Sequence, residues 1–316
     1  DGDRFLQSYH FVDHSSLGAA AITTSGFNID RNRTAELLGF ENIQENSYGA
    51  IAAIDYLTDV YSSLKILMYN IGRFSQDLIF WSSFEIGYLK LGREFIQISS
   101  IMPQKRNPVA LEHLRVMSSL AAGYCDNVIN TTHNTPFTDM NDAEDAVQVV
   151  GFKAFDFAER VLKLLADIME SVEIDEEKVK DNIKESMVSI TEFADSLVRR
   201  ENISFRKAHE IASEIVDYMS SNSELKYEIF KELFVKNIGR KPKSSKDILN
   251  VIFQADEFVK VRNIFGGPAE TRMKESIENY KKKYNLLKEQ TDKYKNERKN
   301  ALKKLKNECD NIILNS

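Results

Sequence analysis

Apolar residues recur along most of this chain at three- and four-residue intervals, the period of an α-helix. Residues 48–83, YGAIAAIDYLTDVYSSLKILMYNIGRFSQDLIFWSS, are apolar on most faces. That pattern predicts a long helix buried in a bundle or oligomer. At ~1.5 Å per residue it would be on the order of 50 Å long. A second long helix is predicted from Asn107-Pro108 to about Thr131, with Asn107 as N-cap and Pro108 in the first turn. A third covers roughly residues 143–171, where Val147, Val150, Phe155, Ala158, Val161, Leu162 and Leu165 keep helical spacing.

Between these helices the pattern breaks. LGAAAITTSGFNID, residues 17–30, reads as a small-residue loop before a short helix, Arg31 to Leu38, that Gly39 ends. SSFEIGYLKLGREF is a turn-rich connector, and TTHNTPFTDMNDAEDAVQ an irregular acidic one. Sustained period-two runs and Asn-Gly hairpins are missing, so the expected fold class is all-α. Composition shifts near ESVEIDEEKVKDNIKES, with Asp175 as an N-cap leading into Lys178. The expected domains are therefore a central helical bundle over 1–172, a small helical domain over 173–268 and a charged helix over 269–316. Residues 238–246, IGRKPKSSK, read as a surface loop, and Gly266-Gly267-Pro268 as a turn with Pro268 opening the last helix. In that tail Met273, Ile277, Tyr280, Tyr284, Leu287, Thr291, Tyr294, Ala301, Leu305 and Ile312 form a coiled-coil-like stripe that Arg298 and Glu308 interrupt. The same spacing also fits a solvated helix lying on the body of the protein.

Composition narrows the class. Of 316 residues, 42% are hydrophobic and 28% charged, a balance that fits a globular protein. A net charge of −6 gives no basic field for nucleic acid. Cys125 and Cys309 lie far apart without metal-type spacing, which suits a reducing, cytoplasmic setting and argues against a zinc site. Asp55, Asp59, Lys65, Arg73 and Asp77 interrupt the most apolar stretch, leaving no run of ~18 apolar residues for a membrane span. The start, DGDRFLQSYHFVDHSS, carries neither a signal segment nor an initiator Met and reads as an internal piece of a longer protein.

The chemistry concentrates in QISSIMPQKRNPVALEHLR, residues 97–115. A helix N-terminus offers free N–H groups and partial positive charge, and Lys105 adds a full charge beside it. Ser99 and Ser100 bring hydroxyls. A serine becomes a usable base when a cation and N–H groups stabilise its alkoxide. Such groups suit an anionic substrate that loses a proton next to a carboxylate. On the residues alone a capped connector explains the same stretch.

SSIMPQKRNP resembles the signature loop of the fumarase/aspartase superfamily, G-S-S-x-M-P-x-K-x-N. NSYGAIAAIDYL, ITEFADSLVRRENISFRKAHEI and VRNIFGGPAETR resemble the argininosuccinate lyase branch, over roughly residues 15–275. The resemblance implies a long-helix bundle, a small helical C-terminal domain and a homotetramer whose active sites draw on three subunits. It implies Ser99 as the general base that takes a proton beside a succinyl carboxylate. Lys105 and Asn107 then hold that carboxylate and stabilise the carbanion before C–N cleavage releases fumarate. Ser100, Met102 and Gln104 belong to the same mobile loop. Asn46, Ser47, Asp139 and Glu144 fall at substrate-binding positions. No metal or organic cofactor is implied.

The chain also departs from the family pattern. Ile98 stands where the loop has Gly, and Ile54 where the family has Arg. Asp139, Glu144 and Val147 replace the Tyr, Gln and Lys that grip argininosuccinate. The family's upstream Thr-His and Arg-Asn segments have no counterpart, and His10, His14, His113, His133 and His209 read as surface or packing residues. The expected activity is an argininosuccinate lyase-like β-elimination, with this piece inactive by itself. The alternative is a non-catalytic structural or regulatory homologue on the same fold, as in lens crystallins.

Overall fold

Apolar stripes at helical spacing became packed helices, and the chain divides into two compact units, Asp1–Glu173 with Lys283–Ser316, and Ile174–Lys282. The structure, a computed structural model, describes residues 1–141, 145–222 and 224–314. In the first unit the helices are α1 (Gly2–Gln7), α2 (Tyr9–Val12), α3 (Arg31–Leu38), α4 (Ser47–Ala52), α5 (Asp55–Ser82), α6 (Val109–Thr132) and α7 (Asp145–Ser171). The second holds α8 (Glu176–Ser186), α9 (Ile190–Glu201), α10 (Phe205–Ser220), α11 (Tyr227–Ile238), α12 (Asn250–Phe253) and α13 (Ala255–Val261). The last helix, α14 (Glu270–Leu314), groups from Lys283 onward with the first unit. Extended backbone among the described residues amounts to two-residue bridges, so the all-α expectation holds.

Helices α5, α6 and α7 form the core of the first unit. Leu64, Met68 and Leu78 of α5 meet Leu111, Leu114 and Val128 of α6, with Ala154, Val161 and Ile168 of α7 closing the third side. Burying each such Leu, Ile or Met side chain contributes about 1.5–3 kcal/mol. Small residues let α5 and α6 approach closely. A Cβ on Gly72 would lie 3.8 Å from Ser118. The buried Ser75 and Ser118 hydroxyls donate to carbonyls one turn back, Ile71 and Leu114, and so are themselves satisfied. The two helices are antiparallel, because Lys65 pairs with Asp126 while Gln76 pairs with Arg115.

Three expectations shift. The 48–83 helix is broken at Ala53–Ile54 into α4 and α5; Ala53 is extended (φ −75, ψ 137), and no Pro or Gly at those positions announces it. Helix α6 begins at Val109 with Pro108 in the cap position, so Asn107 is not its N-cap; the Asn107 backbone is instead paired with Gln97. Pro268 lies two residues ahead of α14 rather than opening it. The 238–246 loop does lie at the surface, with Lys241, Lys243, Ser245 and Lys246 exposed, and is pinned there by Ser244, buried against Glu201.

In the second unit Phe193, Phe230 and Phe234 make edge-on ring contacts 5.8 Å apart beneath Ile211, Ile215 and Ile248. Asp175 accepts from the Lys178 N–H at 3.1 Å, the cap read from the sequence.

Candidate active site

The SSIMPQKRNP stretch folds as a small hairpin. Gln97 and Ile98 pair antiparallel with Asn107 and Arg106. The Ser99 N–H donates to the Lys105 carbonyl at 3.2 Å, and the Lys105 N–H to the Met102 carbonyl at 2.9 Å. These bonds fold the loop so that its two ends, Ser99 and Lys105, are adjacent. Within the turn Ser99 Oγ accepts two backbone N–H groups, from Ile101 at 3.3 Å and Met102 at 3.1 Å. Both donors aim at the oxygen that an alkoxide would charge, which is the arrangement that stabilises an oxyanion.

The rest of the hairpin faces solvent. Ser100, Met102, Gln104 and Lys105 are exposed, and Ile101 is 87% exposed. Lys105 has no ion-pair partner among the described residues, so its charge is available to an incoming anion. The α6 N-terminus follows directly, with no side chain capping it and Glu112 exposed in its first turn. Ile98 sits in the ladder, 59% exposed.

A second group gathers elsewhere. Asn46 caps α4, its Oδ1 accepting the Gly49 N–H at 3.0 Å. Ser47 opens that helix, and the Tyr48 hydroxyl donates to the Phe137 carbonyl, two residues from the exposed Asp139. Tyr48 thus joins two segments 89 residues apart in the sequence. Glu144 lies outside the described residues. Val147 is 2% exposed in the α5–α7 core, so it is a packing residue where the family pattern has Lys. Four of the five histidines pack locally, His10 against Phe11 and His14, His133 against the Asn130 carbonyl and His209 against Phe205, while His113 is exposed on α6.

The two groups lie at opposite ends of the bundle. Ser99, Lys105 and Asn107 precede the first residue of α6, whereas Phe137 and Asp139 follow its last. Helix α6 has 24 residues, so the ends are about 36 Å apart. One chain does not bring the hairpin to the Asn46–Asp139 group.

The helical bundle is a fold shared with lyases of the fumarase/aspartase superfamily. The chain is homologous to argininosuccinate lyases, members of that superfamily. A lyase family model matches residues 1–123, and a model of the argininosuccinate lyase C-terminal region matches residues 187–260. Argininosuccinate lyase 2 of Agrobacterium fabrum is 46% identical over 287 residues, covering 90% of this chain and 57% of that protein. Argininosuccinate lyase of Methanococcus maripaludis is 30% identical, covering 96% and 63%. The chain thus spans less than two thirds of these relatives. Among solved structures, EDDS lyase in complex with formate superposes with a TM-score of 0.87 at 24% identity, over 99% of this chain and 63% of that one. A class II fumarase from Schistosoma mansoni gives 0.59 at 16% identity over 80% and 55%. At those identities the likeness is one of fold.

Proposed function

We propose that the intact protein is a carbon–nitrogen lyase that cleaves argininosuccinate to arginine and fumarate. The observation that carries this reading is Ser99 Oγ between two backbone N–H donors, in a hairpin whose far side is Lys105. The donors lower the cost of the Ser99 alkoxide. That alkoxide takes the proton from the carbon beside the succinyl carboxylate and becomes a hydroxyl. The electron pair moves into the carboxylate, which becomes a doubly charged aci-form held by Lys105, Asn107 and the open N–H groups of α6. Its collapse forms the carbon–carbon double bond, breaks the C–N bond and sends the electron pair to the leaving nitrogen. Ser100, Met102 and Gln104 close over the dicarboxylate. Asn46, Ser47 and Asp139, with Glu144, bind the amine half.

Because the two residue groups stand about 36 Å apart along α6, this reading requires sites shared between copies, in a homotetramer. Exposed apolar residues on the bundle helices, Ile66, Tyr69 and Trp81 of α5, Val116 of α6 and Phe152 of α7, supply faces for that association. The setting in this reading is cytoplasmic; no helix among the described residues is long and apolar enough to cross a membrane. The test is fumarate release, followed by absorbance, from argininosuccinate. Ser99→Ala is expected to lower kcat by about 10³-fold or more, since it removes the base. Wild-type turnover in that variant overturns the assignment.

A further inference from the structure

Arg31 is the first residue of α3, and its guanidinium engages three backbone carbonyls from two separate loops. Nε donates to the Leu17 carbonyl at 3.1 Å, one terminal nitrogen to that of Glu45 at 3.3 Å and the other to that of Gln44 at 2.8 Å. A planar five-donor fork suits this task, and an ammonium offers only one nitrogen for it. The stem of Arg31 lies over Gly18, where φ is +83 and an added Cβ would come within 2.8 Å of Arg31 Cγ. Gly18 is thus both the residue that the turn needs and the residue that leaves room for the arginine.

Gln44 and Glu45 lead directly into Asn46, the cap of α4. The Gln44 N–H donates to the Ser15 carbonyl at 3.0 Å, so this segment is tied on both edges. Helix α3 is itself anchored. Asp30 caps it, Arg33 pairs with Glu308 at 2.5 Å, and Lys304 pairs with Glu36, both partners lying on α14. The fork therefore fixes the loop ahead of Asn46 against an element that cannot easily move.

We propose that Arg31 is a positioning residue for the amine half of the substrate: it sets the Asn46–Tyr48 corner by holding the carbonyls of Gln44 and Glu45. The proposal rests on the reading of Asn46 and Ser47 as substrate contacts. A residue acting on a non-reacting part of the substrate changes ground-state and transition-state binding together. Its loss weakens binding and leaves the chemical step alone.

The experiment measures argininosuccinate binding by calorimetry to the intact protein carrying Ser99→Ala, with and without Arg31→Ala. It also measures amide hydrogen exchange at Gln44 and Gly49. With Arg31→Ala, Kd is expected to rise about tenfold, with exchange at both amides faster by a similar factor. Arg31→Lys is expected to fall between. In protein with Ser99 intact, Arg31→Ala is expected to raise KM with kcat within about twofold. Should Arg31→Ala fail to fold, Gly18→Ala displaces the same stem and is expected to weaken binding likewise. Unchanged Kd overturns the proposal, and so does faster exchange with unchanged Kd, which would make the fork a clamp of the fold alone. If the Ser99→Ala protein binds no argininosuccinate, the substrate reading fails instead. Exchange then judges the fork, with unchanged exchange on Arg31→Ala overturning it.

Discussion

At the scale of single residues, the same residue types serve different ends according to their neighbours. Ser99 draws two N–H donors to its oxygen, while Ser75 and Ser118 spend their hydroxyls on their own helices. Glu201 is the sharpest case. It is 1% exposed and accepts from Arg240 at 2.9 Å, the Lys243 N–H at 3.0 Å, and the N–H and hydroxyl of Ser244, each at 2.6 Å. Burial pushes its carboxyl up, but the Lys243 and Ser244 donors and Arg240 outweigh burial and bring it from 4.5 down to about 2. A carboxyl whose folded value is depressed stabilises the fold above its ordinary value. That stabilisation is lost as pH falls from about 5 to about 2, and amounts to ~3 kcal/mol. Glu201→Gln is expected to unfold more readily at neutral pH and to lose much of the acid dependence, read by thermal melts between pH 7 and pH 3. Melting curves of the variant that track the wild type at every pH would refute this. Glu201 ends α9, and its partners come from a loop about forty residues on, which no local pattern around it announces.

At the scale of elements, periodicity found the helices and chemistry found the hairpin, but their edges depended on backbone pairing. Asn107-Pro108 has the composition of a helix cap, yet Asn107 is drawn into the ladder with Gln97, and the helix starts one residue later than the cap rule predicts. The stripe along α14 left two readings open. Between Lys283 and Leu314 it packs on its own chain: Tyr294 lies 4.4 Å from the Tyr9 ring, and Ala301 is buried where a Cβ on Gly39 would come within 3.0 Å. Tyr294→Asp is therefore expected to destabilise the protein by about 1–2 kcal/mol, through loss of the ring contact and burial of a carboxylate. Oligomer size in light scattering is expected to stay the same. A smaller oligomer would mean that this stripe pairs with another copy instead.

At the scale of the whole molecule, the decisive fact is the distance along α6. The Ser99–Lys105 hairpin at one end and the Asn46–Asp139 group at the other, held about 36 Å apart by α6, do not meet on one chain. Two inactive intact variants, one carrying Ser99→Ala and the other a disabling change at Asn46, are therefore expected to regain fumarate release when refolded together. Mixed oligomers would contain some sites with both halves unaltered. In a random mixture a recovery of roughly a quarter of wild-type activity is the expectation, if each site draws these two groups from different copies. No recovery, with mixed oligomers demonstrated, would place both groups on the same chain and contradict the shared-site reading.

The sequence by itself determined the fold class, the three long helices and the serine-lysine-asparagine stretch. Each of these is local: helical period, loop composition and a short signature survive in one dimension. Only the tertiary structure decided that Ser99 Oγ receives two N–H groups, that Val147 is core, that Tyr48 reaches Phe137 and that Arg31 gathers carbonyls from two loops. It also decided that the hairpin and the Asn46–Asp139 group lie at opposite ends of a bundle. These facts depend on how antiparallel helices and returning loops bring distant positions together, and no spacing along the chain encodes that.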